Sequence, residues 1–224
     1  MKILLASGNP GKLREIAEMS AHLSLEWAGL KDIPEFEMPE ETGQTFRDNA
    51  LLKAGAACAY SGWISLGEDS GLCVDALDGA PGVYSARYAG EHGANEANNS
   101  KLIKELEHVP DGKRGAHYAC ATAVAFPAEM FTAGSAMPGG CELVKESAYL
   151  PEGCWAWLTE GKVRGEIIRE RRGEGGFGYD PLFYYPPFEL TFAEAPASEK
   201  HRVSHRAQAL GRFFAWLKGN PLAS

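Results

Sequence analysis

The sequence predicts an α/β fold with a mixed β-sheet. Apolar, strand-like segments alternate with helical segments in the first part of the chain, which is typical of parallel strands joined by helices. The middle of the chain looks like a meander of shorter runs and turns, which favours antiparallel pairing. No Pro/Ser-rich linker, repeat or low-complexity tract divides the 224 residues, so we expect residues 1–224 to form one domain.

The N-terminal elements are predicted around two turns. Residues 2–6 are a buried strand, residues 7–11 are a glycine-containing turn, and apolar residues at helical spacing follow from 13 to 23. A second helix is predicted from Phe46 to about Tyr60, with a capping box at its start.

Two short strands are predicted on either side of an acidic turn. Residues 64–66 and 72–74 are the strands, and residues 67–71 (Gly-Glu-Asp-Ser-Gly) are the turn. If the first strand persists to residue 69, alternation places Glu68 and Asp69 on opposite faces, so the two acids would have different roles.

The rest of the chain is predicted more coarsely. The expected elements are a helix over 95–106, a central strand over 117–126, hairpins and loops over 127–161, a return to the sheet over 162–169, and a final amphipathic helix over 207–217.

Composition excludes several classes of protein. The charge of 22 Lys+Arg against 30 Asp+Glu gives −8, which disfavours binding to a nucleic-acid backbone but permits a small phosphorylated ligand. The five cysteines form no CxxC pair, which favours reduced thiols and a cytoplasmic location. No apolar run approaches the length of a membrane span, so no membrane partner is expected.

The first turn has features of an anion site. Backbone N–H groups at a helix N-terminus and a nearby lysine suit a phosphate, although the spacing is not that of a Walker A motif. An ordinary strand-to-helix turn with a solvated lysine explains the same residues. The candidates are Ser7, Gly8, Asn9, Pro10, Gly11 and Lys12.

Two acidic pairs lie beside glycine turns. Glu40 and Glu41 form one pair, Glu68 and Asp69 the other, and two converging carboxylates would suffice for Mg²⁺. Solvated loop charge is the alternative for either pair. Lys53 lies on the small-residue face of the second helix, where it is either functional or a structural lysine.

Residues 175–181 (Gly-Gly-Phe-Gly-Tyr-Asp-Pro) are the most informative segment. Glycines, aromatic rings and an acid suit a backbone that closes over a flat ring, and a basic cluster at 200–206 supplies donors for a base edge or phosphate. A turn with packed aromatic rings and a basic helix start is the alternative.

Five segments together resemble the inosine triphosphate pyrophosphatase family. They are SGNPGKLREI (7–16), ETGQTFRDNALLKA (41–54), EDSGLCVDALDGAPGVYSARYAG (68–90), GGFGYDPLF (175–183) and TFAEAPASEKHRVSHRAQAL (191–210). The resemblance implies one domain of two lobes around a cleft, with an elongated mixed sheet and flanking helices. It also implies a homodimer that hydrolyses non-standard purine triphosphates (dITP, ITP, XTP) to the monophosphate and pyrophosphate, with Mg²⁺ as cofactor.

The resemblance assigns roles to individual residues. Asp69 would be the catalytic base and would bind Mg²⁺ together with Glu41. Residues 7–12 and Lys53 would hold the triphosphate, with Ser70 touching the phosphates and Arg87 close to them. The residues that would enclose the purine are Phe177, Gly178, Tyr179, Asp180, Lys200, His205 and Arg206.

The sequence departs from the family pattern in the acidic motif and the middle segment. Glu68 and Asp48 stand where relatives usually have Asp and Glu, which keeps the charge, and 130–157 is longer and less regular. Two alternatives stay open at this stage. One is a Maf-like pyrophosphatase acting on modified pyrimidine nucleotides, and the other is a nucleotide-binding module without catalysis.

Overall fold

A computed structural model describes residues 2–130 and 139–219. Its helices are α1 (Pro10–Ser20), α2 (Phe46–Ser61), α3 (Asn95–Glu105), α4 (Ala197–Val203) and α5 (His205–Gly219). Its strands are β1 (Lys2–Ala6), β2 (Glu26–Ala28), β3 (Ser65–Val74), β4 (Gly115–Pro127), β5 (Glu142–Val144), β6 (Cys154–Ile167), β7 (Phe183–Tyr185) and β8 (Leu190–Thr191).

The strands form a mixed sheet, which confirms the predicted fold class. Hydrogen bonds join them in the order β2-β1-β3-β4-β6-β7-β8, and β5 pairs with β6. β1 is parallel to β2 and β3, whereas the β5–β6, β6–β7 and β7–β8 pairs are antiparallel. Parallel pairing therefore lies in the N-terminal part of the sheet, where strands and helices alternate in the sequence.

The chain falls into two compact units. Unit 1 contains residues 2–69, 120–130, 139–161 and 206–219 of the described chain, and unit 2 contains residues 70–119 and 162–205. β3, β4 and β6 each contribute residues to both units.

In unit 1, helices cover both faces of the sheet. Leu66 of β3 and Val124 of β4 belong to a buried cluster with Ile16 of α1 and Leu210 of α5. The other face of β4 carries small residues that pack with α2, namely Ala121, Ala123 and Ala125. Because strand side chains alternate, one strand serves both helical layers.

In unit 2, an aromatic core forms around the later strands. Tyr118 of β4, Phe183 of β7 and Phe192 are buried in one cluster with Leu102 of α3 and Leu72 of β3. This core underlies residues 175–181, which lack regular helix or strand structure.

The prediction of two short strands around an acidic turn is wrong. Residues 65–74 form one continuous strand, and only its residues 70 and 73 are half-buried rather than buried. Glycine is needed at position 67 of the strand because α2 packs so closely against it that no side chain would fit. The carboxylates of Glu68 and Asp69 can be buried in the strand because cationic side chains pair with each of them.

The segment 127–161 is only partly as predicted. It includes the short strand β5 and an isolated bridge between Ser147 and Leu150, in agreement with hairpins and loops. The prediction is wrong from residue 154, where the 14-residue strand β6 begins. Glycines and prolines close to its start, such as Pro151 and Gly153, favour a loop prediction there. Residues 131–138 lie outside the described chain.

Among the described residues, no helix is both long and apolar enough to span a membrane. All five cysteines are free thiols, and Cys58, Cys120, Cys141 and Cys154 are buried. Burial raises the pKa of each cysteine, which keeps the thiols protonated near neutral pH.

Gly67→Ala is expected to destabilise the protein because α2 leaves no space for a methyl group. A Cβ at this position would lie 2.5 Å from the carbonyl oxygen of Ala50 and 2.5 Å from the nitrogen of Ala54, both in the backbone of α2. We expect the free energy of unfolding to fall by about 1–3 kcal/mol. Denaturation in urea, followed by circular dichroism, measures it.

Gly211→Ala is the matched control. Gly211 is an exposed position of α5, and an added Cβ meets nothing within 4 Å. Alanine is the better helix former, so this variant should be unchanged or more stable by up to about 1 kcal/mol. Equal stability of both variants would contradict the close approach of α2 to β3.

Candidate functional site

The first loop of unit 1 presents the start of α1. Asn9 is the N-cap residue, and its Oδ1 accepts hydrogen bonds from the backbone N–H groups of Gly11 (2.9 Å) and Lys12 (3.1 Å). Pro10 occupies the first helical turn, where no N–H is needed. The loop is thus a well-capped helix start of the kind that attracts anions, and its phosphate-binding role remains a prediction.

Asp69 lies in a buried cluster with a lysine and an amide from α2. Its Oδ1 accepts a hydrogen bond from Nζ of Lys53 at 3.1 Å, and its Oδ2 accepts one from Nδ2 of Asn49 at 3.0 Å. The Lys53 Nζ also donates to Oε1 of Glu41 at 2.8 Å. The structure thus brings together Glu41, Lys53 and Asp69, three residues singled out by the sequence.

Asn49 also ties the acidic loop to α2. Its Oδ1 accepts a hydrogen bond from the N–H of Gly43 at 2.8 Å. A Cβ at position 43 would lie 2.5 Å from that oxygen, so glycine is required for this approach. Through one side chain, the loop that carries Glu41 is held next to the strand that carries Asp69.

The ammonium of Lys53 stays charged at neutral pH. Burial alone would lower its pKa, but the carboxylates of Asp69 and Glu41 outweigh burial, and the pKa is raised. Lys53 is therefore a cation held between the carboxylates of Asp69 and Glu41.

Glu68 points to the opposite side of β3, as the alternation predicts. Arg206 of α5 donates two hydrogen bonds to its carboxylate, from Nε to Oε2 at 2.6 Å and from Nη2 to Oε1 at 2.9 Å. Nζ of Lys12 lies 3.3 Å from Oε1, and Nη1 of Arg206 donates to Glu15 of α1. Glu68 is therefore enclosed by cations of two helices.

Arg206 neutralises two buried carboxylates inside unit 1. Its side chain is 1% exposed, and at least three of its N–H groups point to Glu68 and Glu15. Burial would lower its pKa, but these two carboxylates raise it well above the usual value. The predicted contact of Arg206 with a base is not tested by this geometry.

The described residues contain no group of three or more His, Cys, Asp or Glu side chains suited to a metal. Glu41 and Asp69 nonetheless contact the same ammonium and supply hard oxygen donors, which Mg²⁺ accepts in pairs when phosphate oxygens complete its shell. The donor set fits a magnesium ion shared with a phosphorylated ligand.

In unit 2, Asp180 organises the glycine-rich segment. Its Oδ2 accepts hydrogen bonds from Nζ of Lys200 (2.7 Å) and from the N–H of Phe177 (2.9 Å). A Cβ at Gly176 would lie 2.1 Å from this oxygen, and Gly176 also has φ +70°. Lys200, Phe177 and Asp180 are therefore brought together as the sequence predicts.

Two further contacts anchor the same segment. The hydroxyl of Tyr179 donates to the carbonyl of Ser85 at 2.9 Å, and Nδ2 of Asn99 donates to the carbonyl of Gly178 at 3.0 Å. The backbone of 177–180 is thus fixed from both the 3₁₀ helix at Gly82–Arg87 and helix α3.

Three further predicted residues of unit 2 are His205, Arg87 and Ser70. His205 is buried, and its ring stacks on that of Tyr118. Arg87 is half-buried with its guanidinium 5.2 Å from the ring centre of Tyr84. Ser70 follows Asp69 on β3 and is half-buried.

Sequence reasoning assigned no role to several participants. The sequence places Asn49 one helical turn before Lys53 on the same face, but this spacing alone did not indicate its contact with Asp69. Glu15 follows Lys12 by three residues in α1, which likewise predicts a shared face. Tyr118 carried no signal beyond its place in an apolar strand.

The sequence of the chain is similar to those of known proteins. Residues 3–216 match the model of the Ham1 family. The chain is 44% identical to the dITP/XTP pyrophosphatase of Desulforamulus reducens, over 94% of this chain and 92% of that protein. It is 43% identical to the dITP/XTP pyrophosphatase of Geobacter sulfurreducens, over 93% and 92% of the two chains.

Solved structures of similar proteins share the fold of this chain. A HAM1 protein from Coxiella burnetii superposes with a TM-score of 0.78 at 35% identity, covering 98% of this chain and 100% of that one. A nucleoside-triphosphatase, dITP/XTP pyrophosphatase, from Mycobacterium abscessus gives a TM-score of 0.70 at 38% identity, covering 95% and 98%.

Glu68→Gln is expected to lower the free energy of unfolding by about 3–5 kcal/mol, because Arg206 and Lys12 would both lose the buried carboxylate that they share, and Arg206 would keep only Glu15. Urea denaturation measures the change. Glu142→Gln is the control, since Glu142 pairs with Arg47 at the surface with 56% of its side chain exposed. That variant should lose at most about 1 kcal/mol. A loss at Glu68 no larger than at Glu142 would contradict the buried network.

Proposed function

The chain belongs to the Ham1 family, and from this premise we propose that it hydrolyses non-standard purine nucleoside triphosphates to the monophosphate and pyrophosphate. The substrates are dITP, ITP and XTP, and cleavage falls between the α- and β-phosphates. The observation that carries the proposal is the cluster of buried Asp69 and Lys53 with half-buried Glu41, in a chain that matches a dITP/XTP pyrophosphatase over 94% of its length.

The triphosphate is held by residues of unit 1. The capped start of α1 offers backbone N–H groups, and Lys12 and Lys53 act as point charges on phosphate oxygens. The carboxylates next to these lysines set their position before substrate arrives: Glu68 for Lys12, and Asp69 with Glu41 for Lys53.

In this proposal Glu41 and Asp69 would hold Mg²⁺. The bound ion would supply charge neutralisation at the phosphate oxygens and so a lower barrier to attack by water. Support comes from the carboxylate oxygens of Glu41 and Asp69, which are the hard donors that a divalent cation such as Mg²⁺ prefers.

Asp69 also orients the attacking water and takes its proton. Among the described residues, each Asp69 oxygen accepts one hydrogen bond, from Lys53 or Asn49, and a carboxylate oxygen has capacity for a second partner. Lys53 and Asn49 thereby fix the carboxylate's direction and leave acceptor capacity for water.

Residues of unit 2 recognise the base. Phe177 to Asp180 supply an aromatic ring and a fixed backbone, and Lys200 and His205 are donors suited to a 6-oxo group. The 6-amino group of adenine is itself a hydrogen-bond donor, so it cannot pair with these donors. Pockets that read a base edge by hydrogen bonds reject analogues by as much as about 10⁴–10⁵.

The homodimer and the single two-lobed domain stay predictions of the family resemblance, and the cytoplasmic location stays a prediction from the cysteine pattern. The two alternatives are separated by activity. A pyrimidine pyrophosphatase would ignore dITP, and a binding module would bind without turnover.

Wild-type protein is expected to release pyrophosphate, not orthophosphate, from dITP and XTP in the presence of Mg²⁺, and to act weakly on dATP, dGTP and dUTP. EDTA should abolish turnover. Chromatography of the nucleotide products and a pyrophosphate assay measure both features. Turnover of dUTP alone, or activity that persists in EDTA, would contradict the proposal.

Asp69→Asn is expected to lower kcat by at least about 10²-fold while the KM for dITP changes little, because the lost interactions matter most in the transition state. Asp111→Asn is the control, since Asp111 pairs with Arg169 at the surface with 82% of its side chain exposed. Steady-state kinetics on dITP test both variants. Near wild-type kcat in Asp69→Asn would remove Asp69 from the chemistry.

A further inference from the structure

We propose that Tyr118 is a positioning residue that sets base specificity, because this one side chain holds two of the groups expected to contact the purine. The inference rests on the proposed function and deepens it. Tyr118 lies in β4, far in sequence from residues 175–181 and 200–206, and none of the family-like segments contains it.

The hydroxyl of Tyr118 completes the surroundings of Asp180. It donates to Oδ1 of Asp180 at 3.3 Å, whereas Lys200 and the N–H of Phe177 donate to Oδ2. These three donors thus divide between the two carboxylate oxygens. Rotation of the carboxylate is restrained from both sides, and the ammonium of Lys200 is held with it.

The ring of Tyr118 supports His205. The two ring centres are 4.8 Å apart and the planes differ by 13°, which is a stacked arrangement. On the aromatic side, Tyr118 packs against Phe183 at 4.7 Å and Phe192 at 6.1 Å between ring centres. Tyr118 is only 7% exposed, so its ring is a fixed platform for the imidazole.

These two contacts bear on selectivity rather than on phosphate chemistry. Discrimination between a 6-oxo and a 6-amino base depends on donors that cannot turn away when the wrong group arrives. Lys200 is fixed through Asp180, and His205 is fixed by stacking, so Tyr118 restrains both donors. Loosening them should weaken binding of dITP and relieve the penalty against dATP.

Tyr118→Phe is the decisive variant because it keeps the ring and removes only the hydroxyl. We expect a KM for dITP about three- to tenfold higher with kcat nearly unchanged, and a smaller ratio of kcat/KM between dITP and dATP. Tyr118→Leu removes the platform as well and should raise KM further.

Tyr60→Phe is the control for loss of a tyrosine hydroxyl. Tyr60 donates to the carbonyl of Pro34 at 2.9 Å and is 51% exposed, and its variant should keep wild-type kinetics. If Tyr118→Phe changes only the melting temperature, with KM and the dITP/dATP ratio within about twofold of wild type, Tyr118 is merely structural and the inference is overturned.

Calorimetric titration with dITP and dATP in EDTA separates this inference from the proposed function. Loss of discrimination in Tyr118→Phe, measured as the ratio of the two Kd values, supports the inference even if wild type turns over neither nucleotide. Absence of turnover in wild type with Mg²⁺ would overturn the proposed function alone. Equal Kd ratios in wild type and Tyr118→Phe would overturn the inference alone.

Discussion

Two neighbouring carboxylates on β3, Glu68 and Asp69, are buried, and each has to be neutralised by cations of its own. An isolated buried charge is strongly unfavourable. β3 can therefore be buried in the sheet only because cationic side chains pair with both of its carboxylates. Because side chains alternate, the two partners come from different helical layers. Arg206 and Lys12 reach Glu68 from α5 and α1, and Lys53 reaches Asp69 from α2.

This arrangement gives the two acids different duties. Glu68 is enclosed by a side-on arginine and a lysine, and its oxygens serve to hold those cations. Asp69 accepts single hydrogen bonds from Lys53 and Asn49 and lies near Glu41, where acceptor capacity remains. We therefore assign the metal and the water to Asp69 in the proposed reaction, and the placement of Lys12 to Glu68.

Much of this layout could be predicted from local sequence. Period-2 alternation predicted opposite directions for Glu68 and Asp69 on the condition that the strand continued to residue 69, and helical spacing predicted Lys53 on a small-residue face. The capping box at Thr45 and Asp48 is present and marks the start of α2.

The rest depends on contacts between residues distant in sequence. Local rules read Gly67 and Gly71 as turn residues, but the approach of α2 and the pairing of β3 keep them in a strand. Likewise, Arg206 lies 138 residues from Glu68, and Tyr118 lies 62 residues from Asp180. Their pairing is set by tertiary packing, which no motif records. The start of β6 is concealed in the same way by nearby glycines and prolines.

The division of labour between Glu68 and Asp69 is tested most directly by metal binding. Mn²⁺ affinity is measured by electron paramagnetic resonance with a dITP analogue that carries a methylene bridge between the α- and β-phosphates. Asp69→Asn should weaken Mn²⁺ binding by more than about 100-fold, beyond the range typical of residues that only support a ligand. Glu68→Gln, checked for folding by circular dichroism, should change it by less than about tenfold. The reverse order of effects would contradict the account.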